Sequence, residues 1–446
     1  MTRNAPRRSS VEVLAPHECG RVVTASGLGL TRRGLLGAAA VGAGALVRVP
    51  AAFAAGPHPA GGGASVVGHR IWVNVRASAP ARVKARLWPT AHPSQVVDTP
   101  WYATNRSDAA RIPVPAASIV GTDWSWQGVV QDPLGLVPPI AGRVRTVSGW
   151  PHRGTPSAFT FAFGSCITHL YPARVLPHAA AADPKFFAII GDMDYVDVGP
   201  GQNYALWSKW FRAWMRNQYV KPLVRKTPIM GVQDDHDYGL DGCWADTWKV
   251  YTAEAYADVI PGAQYPATSY RRWGLGDVDC WLLDCRRYKD PKHGPYENGL
   301  WMSNIRSVQR RWLLDGLAAS PARIKVILSP RSFAYYWSKG EQALVTQWIQ
   351  DHVSGTVVFC TGDRHQTAFV HPAPRIWELL ACPINNPKKT LAYPVPGLVW
   401  VEHPDGTATS NAVGLVEVDT ATARPSLTLR AVTDNGTTLH AETIRV

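Results

Sequence analysis

The sequence predicts an α/β domain preceded by a small β-sandwich. From about residue 157 onward, short apolar runs of strand length alternate with helical stretches, which is the order typical of an α/β sheet. Between residues 66 and 150, short alternating segments are separated by turn residues without a long helical pattern, which favours a sandwich. The chain has 446 residues, of which 46% are apolar and 18% charged, so both domains can bury a core.

The N-terminal 55 residues have the pattern of an export leader. Thr31–Leu36 (Thr-Arg-Arg-Gly-Leu-Leu) is similar to the twin-arginine motif, an Ala/Gly-rich apolar stretch runs from there to about Val47, and Ala52–Ala54 offers a small-x-small cleavage site. The apolar stretch is too short and too rich in glycine to span a bilayer. We therefore expect no transmembrane segment and export of the folded protein by the twin-arginine machinery. The destination would be the exterior or cell wall, or the periplasm where an outer membrane is present.

The charge of the chain favours anionic substrates but does not indicate a nucleic-acid partner. The formal charge is +13; residues 1–54 carry seven Arg and two Glu, which leaves +8 for the remainder. The remaining cations form no run comparable to a nucleic-acid-binding tail.

The chain contains 19 Trp residues. Tryptophan rings most often fill cores and pocket walls, and they less commonly form exposed platforms that bind sugars.

Residues 56–65 have the Gly/Pro-rich composition of a linker. After this tract, residues 70–76 alternate in part and residues 81–87 alternate throughout, which predicts strands with one solvated face. The segment 66–150 is therefore expected to form a sandwich of the immunoglobulin or fibronectin kind.

The α/β domain is expected to span residues 157–446. Its apolar strands are predicted at 158–163, 186–190, 228–232, 278–283, 324–328 and 356–360, with helices at 204–219, 307–318 and 340–352. The tail, 397–446, returns to alternating strands and is expected to complete a sheet of this domain. Polar residues follow the strands repeatedly, and open α/β folds bind their ligands at the carboxyl ends of strands.

Four of these strand ends carry, in order, a cysteine, Asp-x-x-Tyr, Asp-Asp-His-Asp and Asp-x-His. Thiolate, phenolate, carboxylate and imidazole at one sheet edge predict a metal site with hard oxygen ligands and one soft sulfur. The glycine patterns of nucleotide-binding loops do not follow any of these strands. The Gly-Ser-Cys-Ile segment is not a nucleophile elbow, which argues against a serine hydrolase.

The same motifs, taken in order, resemble the PhoD-like alkaline phosphatase/phosphodiesterase family. The resemblance covers residues 159–370 closely and the flanks loosely, and it implies the α+β sandwich of metallophosphoesterases, with two mixed sheets flanked by helices. The motifs that carry it are Phe163–Cys166, Gly191–Tyr195, Asp234–Gly239, Leu283–Arg286 and Gly362–His365, supported by Ser269–Gly274 and Gln309–Leu313.

This resemblance implies a two-metal site containing Fe(III) and Ca(II). Asp192 would bridge the metals, because a carboxylate can hold one cation on each oxygen at the separation of about 3.5–4 Å found in such sites. Cys166, Tyr195 and His365 would ligate the iron. The alternative is that Cys166 is an ordinary buried cysteine and Tyr195 a core ring with a hydrogen-bonded hydroxyl.

Two further aspartates would hold the second metal. Asp363 would serve it directly, and Asp235 stands where related phosphoesterases place an Asn ligand. Asp234 is the other candidate ligand in the same motif as Asp235. Whichever of Asp234 and Asp235 does not bind the second metal would cap the following turn. Asp237 is a candidate for a supporting or substrate-contacting role.

The catalytic residues implied by the resemblance are His236 and Arg272. His236 would orient or protonate the departing oxygen, with a hydrogen-bonded core histidine as the alternative. Arg272, or its neighbour Arg271, would bind the phosphate, since its planar fork matches phosphate oxygens. Asp284 and Arg286 would contact substrate or support the site, or they would form a buried structural ion pair.

Two positions depart from the family pattern. Gln233 replaces a Trp and is expected to alter a pocket wall. Asp241 stands where an Asn is common, which would change the charge around the second metal.

The resulting prediction is a secreted, metal-dependent phosphoester hydrolase of the alkaline phosphatase D kind. A hydroxide or oxide held by both metals would attack phosphorus. The substrate would be a phosphate mono- or diester, with phospholipid and teichoic-acid-like polymers among the candidates. The alternatives are a phospholipase-D-like phosphodiesterase of the same fold, an inactive Trp-rich cell-wall-binding protein, and a zinc-only esterase or nuclease of related fold.

Overall fold

The computed structural model describes most of the chain beyond the leader. The leader predicted for residues 1–55 lies outside the described residues. Among the helices that are described, none is long and apolar enough to cross a membrane. The described residues are 59–67, 70–105, 109–114, 121–136, 138–195, 204–243, 249–260, 269–287, 308–386, 395–402 and 410–446.

The N-terminal part of the described chain consists of two small antiparallel sheets. Its strands are β1 (Pro59–Val67), β2 (Arg70–Ala77), β3 (Arg82–Pro89), β4 (Val97–Asp98), β5 (Tyr102–Ala103), β6 (Ala109–Pro113), β7 (Trp124–Gln131), β8 (Ile140–Ala141) and β9 (Arg145–Val147). One sheet has the order β1-β2-β6 and the other β4-β3-β7-β8, with β5 paired to β3 and β9 to β7. The strands predicted at 70–76 and 81–87 are β2 and β3.

The structure differs from the sequence prediction at the tract expected to be a linker. Residues 59–65 form most of β1, which pairs antiparallel with β2 from Pro59 opposite Ala77 to Val67 opposite Arg70. The ladder uses backbone N–H and C=O groups, so a glycine-rich segment can join it although its composition suggests a loop.

The second part of the chain alternates strands and helices as predicted. The six predicted apolar strands and three predicted helices are all present, together with further helices and three further strands. In chain order the elements are β10 (Ala158–Gly164), α1 (Val175–Ala181), β11 (Phe187–Ile190), α2 (Tyr204–Arg216), α3 (Val220–Lys226), β12 (Ile229–Val232), α4 (Asp235–Tyr238), α5 (Lys249–Val259), β13 (Arg271–Leu275), β14 (Val278–Leu282), α6 (Val308–Ala318), β15 (Ile324–Ser329), α7 (Phe333–Tyr336), α8 (Lys339–His352), β16 (Thr356–Thr361), β17 (Ala368–Ala373), β18 (Ile376–Leu380), β19 (Leu398–Val401), β20 (Ala412–Asp419), β21 (Ser426–Thr433) and β22 (Thr438–Arg445).

These strands form two mixed sheets. The first has the order β12-β11-β10-β20-β21-β22, in which β10, β11 and β12 are parallel and the C-terminal strands are antiparallel. The second has the order β13-β14-β15-β16-β18-β17-β19, with β14, β15, β16 and β18 parallel. The expectation that the C-terminal tail completes a sheet of this domain is confirmed by β20, β21 and β22.

The two sheets face each other and helices cover their outer sides. A single apolar core contains inward residues of both sheets, such as Phe161 and Val326. A second cluster fills the space under α1, α2, α3 and α5, and a third lies under α6, α7 and α8. On α2 the buried residues Trp207, Phe211 and Trp214 recur at helical spacing, so one face of this helix is held against the sheet.

Aromatic residues fill the region where the two sheets and the β-sandwich meet. Phe186 stacks on Phe161 at a centroid distance of 4.7 Å and meets the edge of Trp273 at 5.3 Å. Trp150, which follows β9, lies 6.3 Å from Phe186 and donates its indole N–H to the carbonyl of Gly274. Phe186 is therefore shared by both parts of the described chain.

Replacing Phe186 by Ala is expected to lower the free energy of unfolding by about 3–5 kcal/mol, because the change removes a fully buried ring and leaves a cavity. Urea denaturation measures the loss. Leu136, which is 79% exposed, provides the control. Leu136→Ala should change the free energy of unfolding by less than about 0.5 kcal/mol. Equal effects of the two substitutions would contradict the assigned role of Phe186.

Candidate metal centre

The carboxyl ends of the parallel strands in both sheets bring the predicted polar residues together. In the first sheet β10 leads to Cys166, β11 to Asp192 and β12 to Asp234. In the second sheet β14 leads to Asp284 and β16 to Asp363. Two groups of potential ligand atoms result, and within each group the atoms lie within 4.8 Å of one another. The first group consists of carboxylate oxygens of Asp192, Asp234, Asp235 and Asp363. The second consists of atoms of Cys166, Asp192 and His365.

The backbone is strained at these strand ends. Of the six described non-glycine residues with positive φ, four are Cys166 (60°), Asp192 (51°), Asp363 (69°) and His365 (54°). Side chains with a Cβ avoid this conformation, and residues held in it cluster at functional sites. The sequence motifs predicted these same four positions as metal ligands.

Glycines allow the strand ends to approach closely. Gly191, with φ of 93°, lies where an added Cβ would be 2.5 Å from the Cβ of Asp234. A Cβ on Gly362 would be 2.1 Å from the hydroxyl oxygen of Ser165. The Gly-Asp pairs of both motifs thus have a steric cause, since only glycine lets the following aspartate reach the cluster.

Cys166, Asp192, Tyr195 and His365 form one side of the cluster. The Tyr195 hydroxyl donates to Asp192 Oδ2 over 2.8 Å and lies 2.7 Å from His365 Nε2. The Cys166 thiol lies 3.7 Å from the same Asp192 oxygen. The structure therefore brings together all the residues that the family resemblance implied for iron.

Asp192, Asp234, Asp235 and Asp363 form the other side, and all four are buried. Burial raises the pKa of Asp192 well above its usual range, and the negative charges of Asp235 and Cys166 raise it further. Burial likewise raises the pKa of Asp363 to about 7, against the opposing effect of Arg331. The cluster is thus short of positive charge at neutral pH.

Two arginines lie among these carboxylates. The Arg286 guanidinium donates to Asp234 and lies 2.9 Å from Asp235 Oδ2. Arg331, which follows β15, pairs with Asp363 and lies 3.8 Å from Asp234. Although burial raises the pKa of Asp235, Arg286 and the neighbouring cations lower it below its usual range. Arg331 was not predicted from the sequence, and the signal that could have found it is its place directly after the buried strand β15.

Asp237 holds the loops of two strands together. Its carboxylate accepts the backbone N–H of Asp192, Met193 and Asp234 at 2.8, 2.9 and 2.9 Å. Asp234 and Asp237 also form a capping box around α4. Asp234 therefore caps α4, which is one of the two roles left open for it, and it also pairs with Arg286.

Asp284 and Arg286 do not form the side-chain ion pair that the sequence left as an alternative. Asp284 Oδ1 accepts the backbone N–H groups of Arg286 and Arg287, and Oδ2 accepts the hydroxyl of Ser269. Asp284 thus shapes the turn from which Arg286 reaches the cluster.

Arg272 is not brought to the cluster, contrary to the prediction. Its guanidinium donates to Asp279 Oδ2 over 2.6 Å and lies 4.7 Å from the centroid of Trp281. Asp279 lies near the start of β14, at the end of the sheet opposite to Asp284. Because side chains alternate along a strand, its neighbour Arg271 points elsewhere, and its guanidinium donates to the carbonyl of Gly231.

His236 lies against the side of the cluster that contains Cys166, Tyr195 and His365. Its ring centroid is 4.1 Å from that of Tyr195, and one ring nitrogen lies within 4.8 Å of ligand atoms of Asp192 and Asp235. Asp241, one of the departures from the family pattern, is 83% exposed and lies 3.8 Å from His236 Nε2. Gln233, the other departure, is buried and donates to the carbonyl of Asp237 over 3.3 Å.

The residues present fit bound cations. Three carboxylate oxygens of the cluster are buried without a hydrogen-bond partner, although buried carboxylate oxygens are nearly always paired: Asp192 Oδ1, Asp234 Oδ2 and Asp235 Oδ1. All three residues belong to the carboxylate group whose ligand atoms lie within 4.8 Å of one another. A cation between them would satisfy the oxygens and offset the repulsion.

Comparison with solved structures shows that the fold is the α+β sandwich of metallophosphoesterases. The structure of PhoD aligns with a TM-score of 0.66 at 13% identity, covering 86% of this chain and 92% of that one. Purple acid phosphatase PPD1 from yellow lupin (Lupinus luteus) seeds aligns with a TM-score of 0.66 at 11% identity, covering 87% and 74%. No protein-family model matches the chain, and no curated protein matches its sequence.

Ionisation of Asp363 is expected to destabilise the metal-free protein. The folded-state pKa of about 7 exceeds the ordinary 3.8, so the folded state binds more protons between these values and the free energy of unfolding falls as pH rises through them. Urea denaturation of chelator-treated protein across this range measures the slope. Asp363→Asn should reduce the fall, whereas the exposed Asp315→Asn should not; identical slopes in both variants would refute the assignment.

Proposed function

We propose that this protein is a metal-dependent phosphoester hydrolase. The observation that carries the proposal is the buried carboxylate cluster, with three unpartnered oxygens, beside a cysteine, a tyrosine and a histidine at the strand ends. Carboxylates that share a site, together with a guanidinium group that can bind phosphate oxygens, are components of two-metal phosphoester hydrolysis. The metallophosphoesterase fold supports this proposal.

The ligand types favour two different cations. Cys166, Tyr195 and His365 with one oxygen of Asp192 offer a thiolate, a phenolate and an imidazole, which suit Fe(III). Burial raises the pKa of Tyr195 well above its ordinary value, so its phenolate form requires a strong positive charge nearby. The other oxygen of Asp192 with Asp235 and Asp363 offers only hard oxygen atoms, which suit Ca(II).

When bound, such cations would supply a water molecule of lowered pKa as the nucleophile and would offset negative charge on the phosphate. Arg331 is the guanidinium that we assign to the substrate phosphate, because it lies among the carboxylates of the cluster while Arg272 does not. Arg286 holds Asp234 and Asp235 in place. His236, beside Tyr195, is assigned to protonate the departing oxygen from Nε2.

The alternative of an inactive Trp-rich binding protein is less well supported. Many tryptophans serve the core: Trp124, Trp126, Trp273 and Trp281 are fully buried. The ligand set is also intact, whereas loss of ligands would accompany loss of catalysis. Monoesterase, diesterase and phospholipase-D-like activity share this machinery, and assays with p-nitrophenyl phosphate and bis-p-nitrophenyl phosphate separate the first two. We further propose export by the twin-arginine route, on the strength of Thr31–Leu36.

The purified protein is expected to hydrolyse bis-p-nitrophenyl phosphate or p-nitrophenyl phosphate, and chelation of its metals should abolish this activity. Asp192→Asn should lower kcat/KM at least about a hundredfold, because the shared ligand of both cations is weakened. The surface substitution Asp315→Asn is the control and should leave kcat/KM unchanged.

A matched pair of arginine variants tests the reassignment of the phosphate ligand in the same assay. Arg331→Gln should reduce kcat/KM, whereas Arg272→Gln should retain it, because Arg272 binds Asp279 at the far end of β14. Full activity of Asp192→Asn would refute the proposed hydrolysis, and a selective loss in Arg272→Gln would restore the assignment made from the sequence.

A further inference from the structure

A basic groove lies between the β-sandwich and helix α2, outside the metal centre. Its volume is about 560 Å³, which lies within the range of roughly 300–1,000 Å³ that is usual for ligand sites. We define the groove by Arg76 and Ser78 at the end of β2 and by Lys209, Arg212, Arg216 and Asn217 on and after α2. Among the described residues that line it, none is acidic.

The charges on α2 are not explained by helix stability. Lys209, Arg212 and Arg216 are spaced three and four residues apart, so they share one face of the helix and repel one another. The segment Tyr204–Arg216 contains no acidic residue that would offset them. The helix dipole favours a cation in the last turn, which accounts for Arg216 but not for Lys209 or Arg212.

The sandwich contributes a fourth cation from the opposite wall. Arg76 lines the groove and is only 6% exposed. Lys209, in contrast, is exposed, and Arg212 donates from Nε to the carbonyl of Ser208 over 3.1 Å. A concave site with four cations is electrostatically complementary to an anion.

The groove lies close to the metal centre along α2. The Lys209 ammonium is 5.8 Å from the centroid of Trp210, and Trp210 lies 5.1 Å from the ring of His169. His169 Nδ1 is 2.8 Å from Asp194 Oδ1, which also accepts the backbone N–H of Tyr195. One helix therefore contacts both the groove and the rim of the metal centre.

We infer that the groove is a second anion-binding site, for a ligand that carries two or more phosphate groups. A phosphate monoester carries a charge of about −1.5 to −2 near neutral pH, so four cations match two such groups. Arginine forks bind these oxygens bidentately, and Ser78 and Asn217 add neutral polar groups at the rim. This inference does not depend on the proposed hydrolysis, because it concerns different residues.

Hexane-1,6-diphosphonate is a suitable probe, since its carbon–phosphorus bonds resist hydrolysis and its separated phosphonates chelate metals weakly. Titration calorimetry on the metal-loaded protein should detect two sites for it in the wild type. In Arg212→Gln/Arg216→Gln the groove site should weaken about tenfold or more, because two charge-assisted contacts are lost. Hexylphosphonate, with one phosphonate, should bind the groove more weakly than the diphosphonate.

Arg311→Gln/Lys339→Gln is the matched control, since it removes two exposed cations from α6 and α8 on the other sheet and should leave both sites intact. Turnover of bis-p-nitrophenyl phosphate by the groove variant should equal that of the wild type. Should the double variant fail to fold, Lys209→Gln takes its place. Unchanged stoichiometry and Kd in the groove variant, or equal loss in the control, would overturn the inference, whatever the hydrolysis assay shows.

Discussion

Repulsion among four buried aspartates governs the arrangement around them. Asp192, Asp234, Asp235 and Asp363 place carboxylate oxygens within 4.8 Å of one another in a buried region. Charges gathered there without counter-charge would cost several kcal/mol each or would take up protons. Arg286 and Arg331 offset part of this charge, and the unpartnered oxygens of Asp192 and Asp235 show where the remaining positive charge belongs.

The fold is built to hold this unfavourable cluster in place. Two sheets packed through one core direct their parallel strand ends to a single region. Positive φ angles at Cys166, Asp192, Asp363 and His365 are tolerated because the surrounding strands determine the backbone there. Asp237 adds further constraint by accepting three backbone N–H groups from the loops after β11 and β12.

One physical reason explains why the sequence could predict both the strands of the α/β domain and the residues that the structure brings together at their ends. Buried parallel strands are continuous apolar runs, and the residues that follow them must lie at one edge of the sheet. Cys166, Asp192, Tyr195 and His365 were found in this way, because each stands at a strand end.

Three features were not predicted from the sequence, because they depend on side-chain direction, on a contact between distant residues and on backbone pairing. Arg271 and Arg272 are adjacent, and only the structure shows that Arg272 reaches Asp279. Arg331 has no motif around it other than its place after β15, so its pairing with Asp363 is evident only in the structure. The tract 59–65 resembles a linker, yet β1 forms there through backbone hydrogen bonds that composition does not record.

The metal content of the purified protein tests the central claim most directly. Elemental analysis is expected to find two cations per chain, one of them iron, together with a visible charge-transfer band from thiolate or phenolate coordination. Cys166→Ala should lose or shift this band while Cys280→Ala, at a buried cysteine away from the cluster, should retain it. A colourless protein without bound metal that is fully active, or a band unaffected by Cys166→Ala, would contradict the account.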